Sequence, residues 1–228
     1  MTNGSKQRGP VLAATIATVI VLLAVGAWWL YRADDGTPTQ HEGTSAKPGS
    51  KPLDLEVLDW RNTAIPGGLC RHQGSISLRD GTATNVPSTF DGPEPNMPQD
   101  VSAFTDEVVY GDLTGDGRWE AALPVLCSNH DSTAAGQRAM GVMVFDGAAG
   151  RLRLIGTLTT QQPRLGEPPN YIRVEKITRG SITTTETFYG TADANCCPTG
   201  LADSAWHFTQ GKLVAESSTV RATPSAAP

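Results

Sequence analysis

Hydrophobic positions fall into one long block near the N-terminus and a series of short blocks after it. The long block runs from Val11 to Tyr31, and Pro10 to Tyr31 contains no charged residue. At about 1.5 Å per helical residue this is long enough to cross a hydrocarbon core of about 30 Å. Lys6 and Arg8 precede it, and Arg32, Asp34 and Asp35 follow. The positive-inside rule therefore leaves the N-terminus in the cytoplasm and the rest of the chain outside. Trp28, Trp29 and Tyr31 stand at the exit, where amphipathic rings favour the headgroup layer. A cleaved signal peptide ending around Val25-Gly26-Ala27 is the rival reading; the apolar run exceeds the usual signal core.

The short blocks alternate with turn residues and predict strands. Ser75–Leu78 ends in Asp80-Gly81. Glu107–Asp112 and Glu120–Cys127 flank a polar loop. Ala139–Phe145 and Leu152–Leu158 read as a hairpin, as do Tyr171–Ile177 with Ile182–Tyr189, and Ala205–Phe208 with Lys212–Val214. Leu53–Trp60 fits either a strand or a short helix. The expected fold is mainly β: an antiparallel, hairpin-rich single domain, a curved sheet or small sandwich, after one N-terminal transmembrane helix. Its expected divisions are a cytoplasmic end (1–9), the anchor (10–32), a flexible stalk (33–52), the domain (53–217) and a disordered tail (218–228). The stalk carries no large aliphatic residue, so it buries too little to offset ordering entropy.

Composition agrees with a turn-rich β protein: the 228 residues include 24 Gly and 16 Pro. Charge narrows the partners. Residues 53–217 hold 20 Asp/Glu against 12 Lys/Arg, a net of −8. Such a surface repels phosphate backbones, so nucleic acid is not an expected partner.

The four cysteines are Cys70, Cys127, Cys196 and Cys197. An even count outside the cytoplasm favours disulfides. Adjacent residues sit about 3.8 Å apart at Cα, below the usual disulfide span. The expectation is therefore that one of Cys196 and Cys197 bonds Cys70 and the other Cys127. No Cys-x-x-Cys or paired Cys/His spacing suggests thioredoxin chemistry or a zinc cage.

The most chemical-looking segment is Asp112-Leu-Thr-Gly-Asp-Gly-Arg-Trp-Glu120. It spaces oxygen donors as a calcium loop does: Asp112, Thr114, Asp116 and Glu120, with the Arg118 carbonyl as a further ligand. It resembles the short Asp-x-Asp-x-Asp-Gly-x-x-Asp loops of FG-GAP and other β-propeller-type calcium sites, with Thr114 in place of one acid. The competing reading is a turn whose side chains bond their own backbone. Calcium is the one cofactor the sequence suggests.

Nothing marks a catalytic residue. His41 lies in the stalk, and His72, His130 and His207 are scattered. His130-Asp131 is a sequence pair without a nucleophile elbow. His207, between Trp206 and Phe208, fits the outer face of a strand, while Trp60 and Trp206 fit packing roles.

Val108–Cys127, Asp193-Ala-Asn-Cys-Cys-Pro-Thr199 and Trp206-His-Phe-Thr-Gln-Gly-Lys-Leu-Val214 resemble extracytoplasmic proteins of actinobacteria, broadly like the LppP/LprE-type lipoproteins. This chain differs in having no lipid-bearing cysteine before Cys70. The resemblance implies an envelope location and no particular activity. The expected function is a non-enzymatic binding module, attached to the membrane by a single span and meeting an envelope protein or cell-wall component. A calcium-dependent adhesion or sensor module comes second, and an envelope hydrolase or redox enzyme last.

Overall fold

The computed structural model describes residues 51–90, 92, 97–131 and 137–224. The expected cytoplasmic end and membrane span, and the stalk up to residue 50, lie outside them. No helix among the described residues is long and apolar enough to cross a membrane.

The chain is mainly β, and every strand pairing is antiparallel. Strands β1 (Ala64–Pro66) and β2 (Ser75–Ser77) form a small ribbon. A six-stranded sheet contains β3 (Thr82–Ser88), β4 (Met97–Ala103), β5 (Val109–Gly111), β6 (Glu120–Asn129), β7 (Gln137–Asp146) and β8 (Arg153–Leu158). Its order is β3-β4-β6-β7-β8, with β5 also on β6. A four-stranded meander follows: β9 (Tyr171–Thr178), β10 (Ser181–Phe188), β11 (Gly200–Thr209) and β12 (Lys212–Ala222). Gln210-Gly211 closes its last hairpin with φ of 50° and 77°, the left-handed pair a two-residue turn needs.

The central sheet is covered on both faces, which explains the continuous apolar run in β6. Ala121, Leu123, Val125 and Cys127, with Met143 and Phe145 of β7, face a layer that includes Trp60, Ile65 and Ile76. Ala122, Val142, Val144 and Leu158 face Ile172, Val174, Ile177, Ile182 and Trp206 of the meander. Trp60 and Trp206 are both packing residues at 5% exposure. Trp60 also donates from Nε1 to the Leu55 carbonyl and the Tyr110 hydroxyl, at 3.2 and 3.0 Å.

Three expectations need correction. Leu53–Trp60 is neither strand nor α-helix; bends lead into a 3₁₀ turn at Trp60–Asn62 that drives the indole into the core. The expected tail is strand as far as Ala222, because β11 offers partners to residues 218, 219, 220 and 222. The cysteines pair by neighbourhood: Cys70 with Cys127, and Cys196 with Cys197. Cys70 ends a 3₁₀ turn lying over β6, at a Cα–Cα distance of 5.5 Å from Cys127. Cys127 faces that layer, whereas Cys196 and Cys197 lie in the loop that joins β10 to β11 of the sheet packed on the other face.

Candidate functional site

The acidic loop is a self-capped turn. Glu120 is 2% exposed and opens β6; its carboxylate accepts from the Leu113 and Thr114 amides at 2.7 and 2.9 Å and from the Thr114 hydroxyl at 3.2 Å. Asp112 accepts from the Gly115 and Gly117 amides at 2.7 and 3.2 Å. Asp116 accepts from the Arg118 amide at 2.9 Å and also pairs with its guanidinium. Burial pushes the Glu120 carboxyl above its ordinary range, against the pull of the three hydrogen bonds. The Arg179 guanidinium ties the loop to the β9–β10 turn by donating to the Gly115 carbonyl at 2.6 Å. The structure thus brings Asp112, Thr114, Asp116 and Glu120 into one loop but aims their oxygens at its own donors. No cluster of three metal-competent His, Cys, Asp or Glu side chains occurs among the described residues.

His130 closes a second polar cluster at the end of β6. Its Nδ1 is 2.9 Å from Asp100 Oδ1, and its Nε2 is 3.3 Å from Asp131 Oδ2. The hydrogen bond to Asp100 is the main reason its pKa is raised. Both ring nitrogens face carboxylates, which favours the protonated imidazole and places no nucleophile beside it. His207 lies outward on β11, 2.6 Å from Glu216 on β12. His72 contacts the Pro87 carbonyl through Nδ1 at 2.8 Å. The three described histidines do not converge.

A third feature joins residues far apart in sequence. A groove of about 420 Å³ opens beside β9, floored by Phe104, Met140 and Tyr171 and rimmed by Glu107, Arg173 and Glu175. β9 pairs only with β10, so its other edge has no strand partner among the described residues. Toward the far end of β9 the sheets close up: a Cβ on Gly111 would meet the Ile177 carbonyl at 2.7 Å. The groove opens beside the first half of β9, at residues 171–175. No sequence motif announces it, since its lining comes from four separate ordinary-looking runs.

The fourth feature is the loop from Tyr189 to Thr199. Asp193 gathers it by accepting from the Gly190 amide, the Thr199 amide and the Thr199 hydroxyl at 2.7, 2.9 and 2.8 Å. Those amides hold the Asp193 carboxyl below its ordinary pKa. The buried Tyr189 phenol donates to the Asn195 carbonyl at 3.0 Å, and burial pushes its pKa up to about 12.

Comparison with known proteins finds no matching family model, curated protein or solved structure.

Proposed function

We propose that the chain is an exported, membrane-attached binding module whose groove beside β9 receives an extended, cationic segment of an envelope protein. The observation that carries this reading is the groove itself: an apolar floor next to an unpaired strand edge. Such edges accept an added strand through main-chain hydrogen bonds, while side pockets select residues. The occupant follows from charge. Glu107 and Glu175 outnumber Arg173 at the rim, and residues 53–217 carry a net of −8. Opposite charge on the partner speeds encounter and rejects acidic competitors.

Export is supported by the Cys70–Cys127 bond, whose cysteines are 2% and 0% exposed. Buried structural disulfides belong to oxidising compartments. The Val11–Tyr31 block and the resemblance to actinobacterial envelope proteins point the same way.

Fluorescence anisotropy with the full chain tests the reading. The probes are hexapeptides alternating Leu or Val with Lys/Arg, or with Asp/Glu, and muropeptide fragments as a cell-wall control. Cationic peptides should bind tightest, and Phe104→Ala should weaken them at least tenfold. E107K/E175K should invert the charge preference. Equal binding of acidic and basic peptides, preference for muropeptides, or indifference to Phe104→Ala would overturn the proposal.

A further inference from the structure

The two disulfides occupy opposite environments. Cys70 and Cys127 are sealed in the core and separated by 57 residues of sequence. Cys196 and Cys197 are both exposed, at sequence separation 1. A crosslink stabilises by shrinking the conformational freedom of the unfolded chain, and its effect grows with the loop it closes. A bond between neighbours closes almost no loop. The Tyr189–Thr199 segment is also held without it, by Asp193 and the Tyr189 hydroxyl. The fold therefore draws little from this bond, and solvent reaches both sulfurs. Its Cα–Cα distance of 3.8 Å is below the usual disulfide span of roughly 4.4–6.8 Å, a departure that favours reduction.

We propose that Cys196–Cys197 is a thiol-exchange site for low-molecular-weight thiols. A thiolate RS⁻ attacks one sulfur of the bridge. The S–S bond breaks, a mixed disulfide forms, and the second cysteine leaves as a thiolate that takes up a proton. A second RSH, as its thiolate, then attacks the R-bearing sulfur of the mixed disulfide, and the protein cysteine leaves as a thiolate that takes up a proton. RSSR departs and the protein holds two thiols, so two electrons have passed from two RSH to the pair. Oxidation by RSSR runs the same steps backward. Access governs which bridge reacts, so the buried Cys70–Cys127 bond stays oxidised while the exposed pair cycles. Asp193 keeps the loop gathered in both states, which leaves the sulfurs close enough to re-form the bond.

The test uses the full chain, isolated from the membrane fraction without reductant. It is incubated with graded reduced glutathione or dithiothreitol, alkylated and mapped by mass spectrometry. Cys196 and Cys197 should become labelled at reductant concentrations at least tenfold below those that label Cys70 and Cys127, and added oxidised glutathione should restore them. Simultaneous reduction of the two bridges, earlier reduction of Cys70–Cys127, or free thiols at 196 and 197 before any reductant would overturn the proposal. A second measurement separates exchange from a structural staple. C196S/C197S should leave Tm within about 2 °C of the parent, while C70S/C127S lowers it by roughly 10 °C or prevents folding. A loss in C196S/C197S as large as in C70S/C127S would overturn it.

Discussion

At the scale of single residues, polar side chains here mostly serve the backbone. Asp112, Glu120, Asp193 and Glu186 each accept main-chain amide hydrogens that no strand partner takes. The acidic loop's Asp-Gly spacing was legible in the sequence, yet spacing alone does not distinguish oxygens aimed at a cation from oxygens aimed at amides. That choice is made by φ/ψ at Gly115 and Gly117, both left-handed, which turn the amides inward. Millimolar calcium is accordingly expected to leave the Tm of the full chain unchanged. A rise of several degrees that disappears in Asp116→Ala would mean the loop rearranges around the ion. His130 gives a pH prediction. Its folded pKa lies above its ordinary value, so its contribution to stability is complete below about pH 6.5 and is lost as pH rises through the folded pKa. An NMR titration of His130 should show a midpoint above the free-imidazole value, and Asp100→Asn should lower it. An unchanged midpoint in Asp100→Asn would contradict the pairing.

Among elements, the strands with clean alternation or continuous apolar runs were readable, and those carrying turn residues were not. β6 to β11 each contain a run the sequence marks. β3 and β4 do not stand out, because Pro87, Pro98 and the left-handed Asn85 look like loop punctuation. Each is tolerated for a local reason. Pro87 lies on the edge strand, opposite Pro98 in the register, and Asn85 falls where the β3–β4 register shifts. Pro124 is the sharper case, since a central strand normally rejects proline. β4 pairs with β6 from Val125 onward and β5 from Ala122 backward, so Pro124 stands in the gap between two partners on one edge. Its carbonyl still accepts from the Phe104 amide at 2.9 Å. The start of β12, Lys212–Val214, is marked by the sequence, but its far end, residues 218–222, is not, because an outer strand that is mostly exposed carries a polar sequence. Its last residues nonetheless matter. Ser218 Oγ accepts from Gln162 Nε2 at 2.7 Å and lies 3.0 Å from Ser204 Oγ, while Arg221 pairs with Asp203 at 2.9 Å. Truncation after Ser217 should lower the Tm of the full-length protein by several degrees in calorimetry, whereas removing residues 225–228 alone should not.

For the whole molecule, the two sheets pack through a shared apolar layer, and the passage between them, residues 159–170, is pinned to the meander by polar groups. Glu186, fully buried on β10, accepts the Gln161 and Gln162 amides at 2.8 and 3.2 Å and the Ser204 hydroxyl at 2.6 Å. Asn170 then donates to the Gln162 and Pro163 carbonyls at 3.0 and 3.2 Å. A buried carboxylate with this many donors is satisfied in place, and removing it strands the donors at about 1–3 kcal/mol each. Glu186→Ala should therefore lower stability by roughly 3 kcal/mol or more in urea unfolding. It should also raise hydrogen exchange at residues 161 and 162 before the core strands; a neutral result would show that water replaces the carboxylate. Nothing in the sequence points to this network, because a glutamate among threonines in Ser181–Phe188 reads as an outward-facing residue. Its inward position follows from the strand's alternation, which the buried Ile182, Thr184 and Phe188 fix.

The cysteine connectivity is consecutive in chain order, first with second and third with fourth. Under the proposed export, a domain that crosses from its residue-53 end onward presents Cys70 and Cys127 together to an oxidising space before Cys196 arrives. Oxidising whichever thiols are available, in order of arrival, then yields the native pairing without a bond ever having to be undone. Maturation of this chain would need an oxidant but no disulfide isomerase.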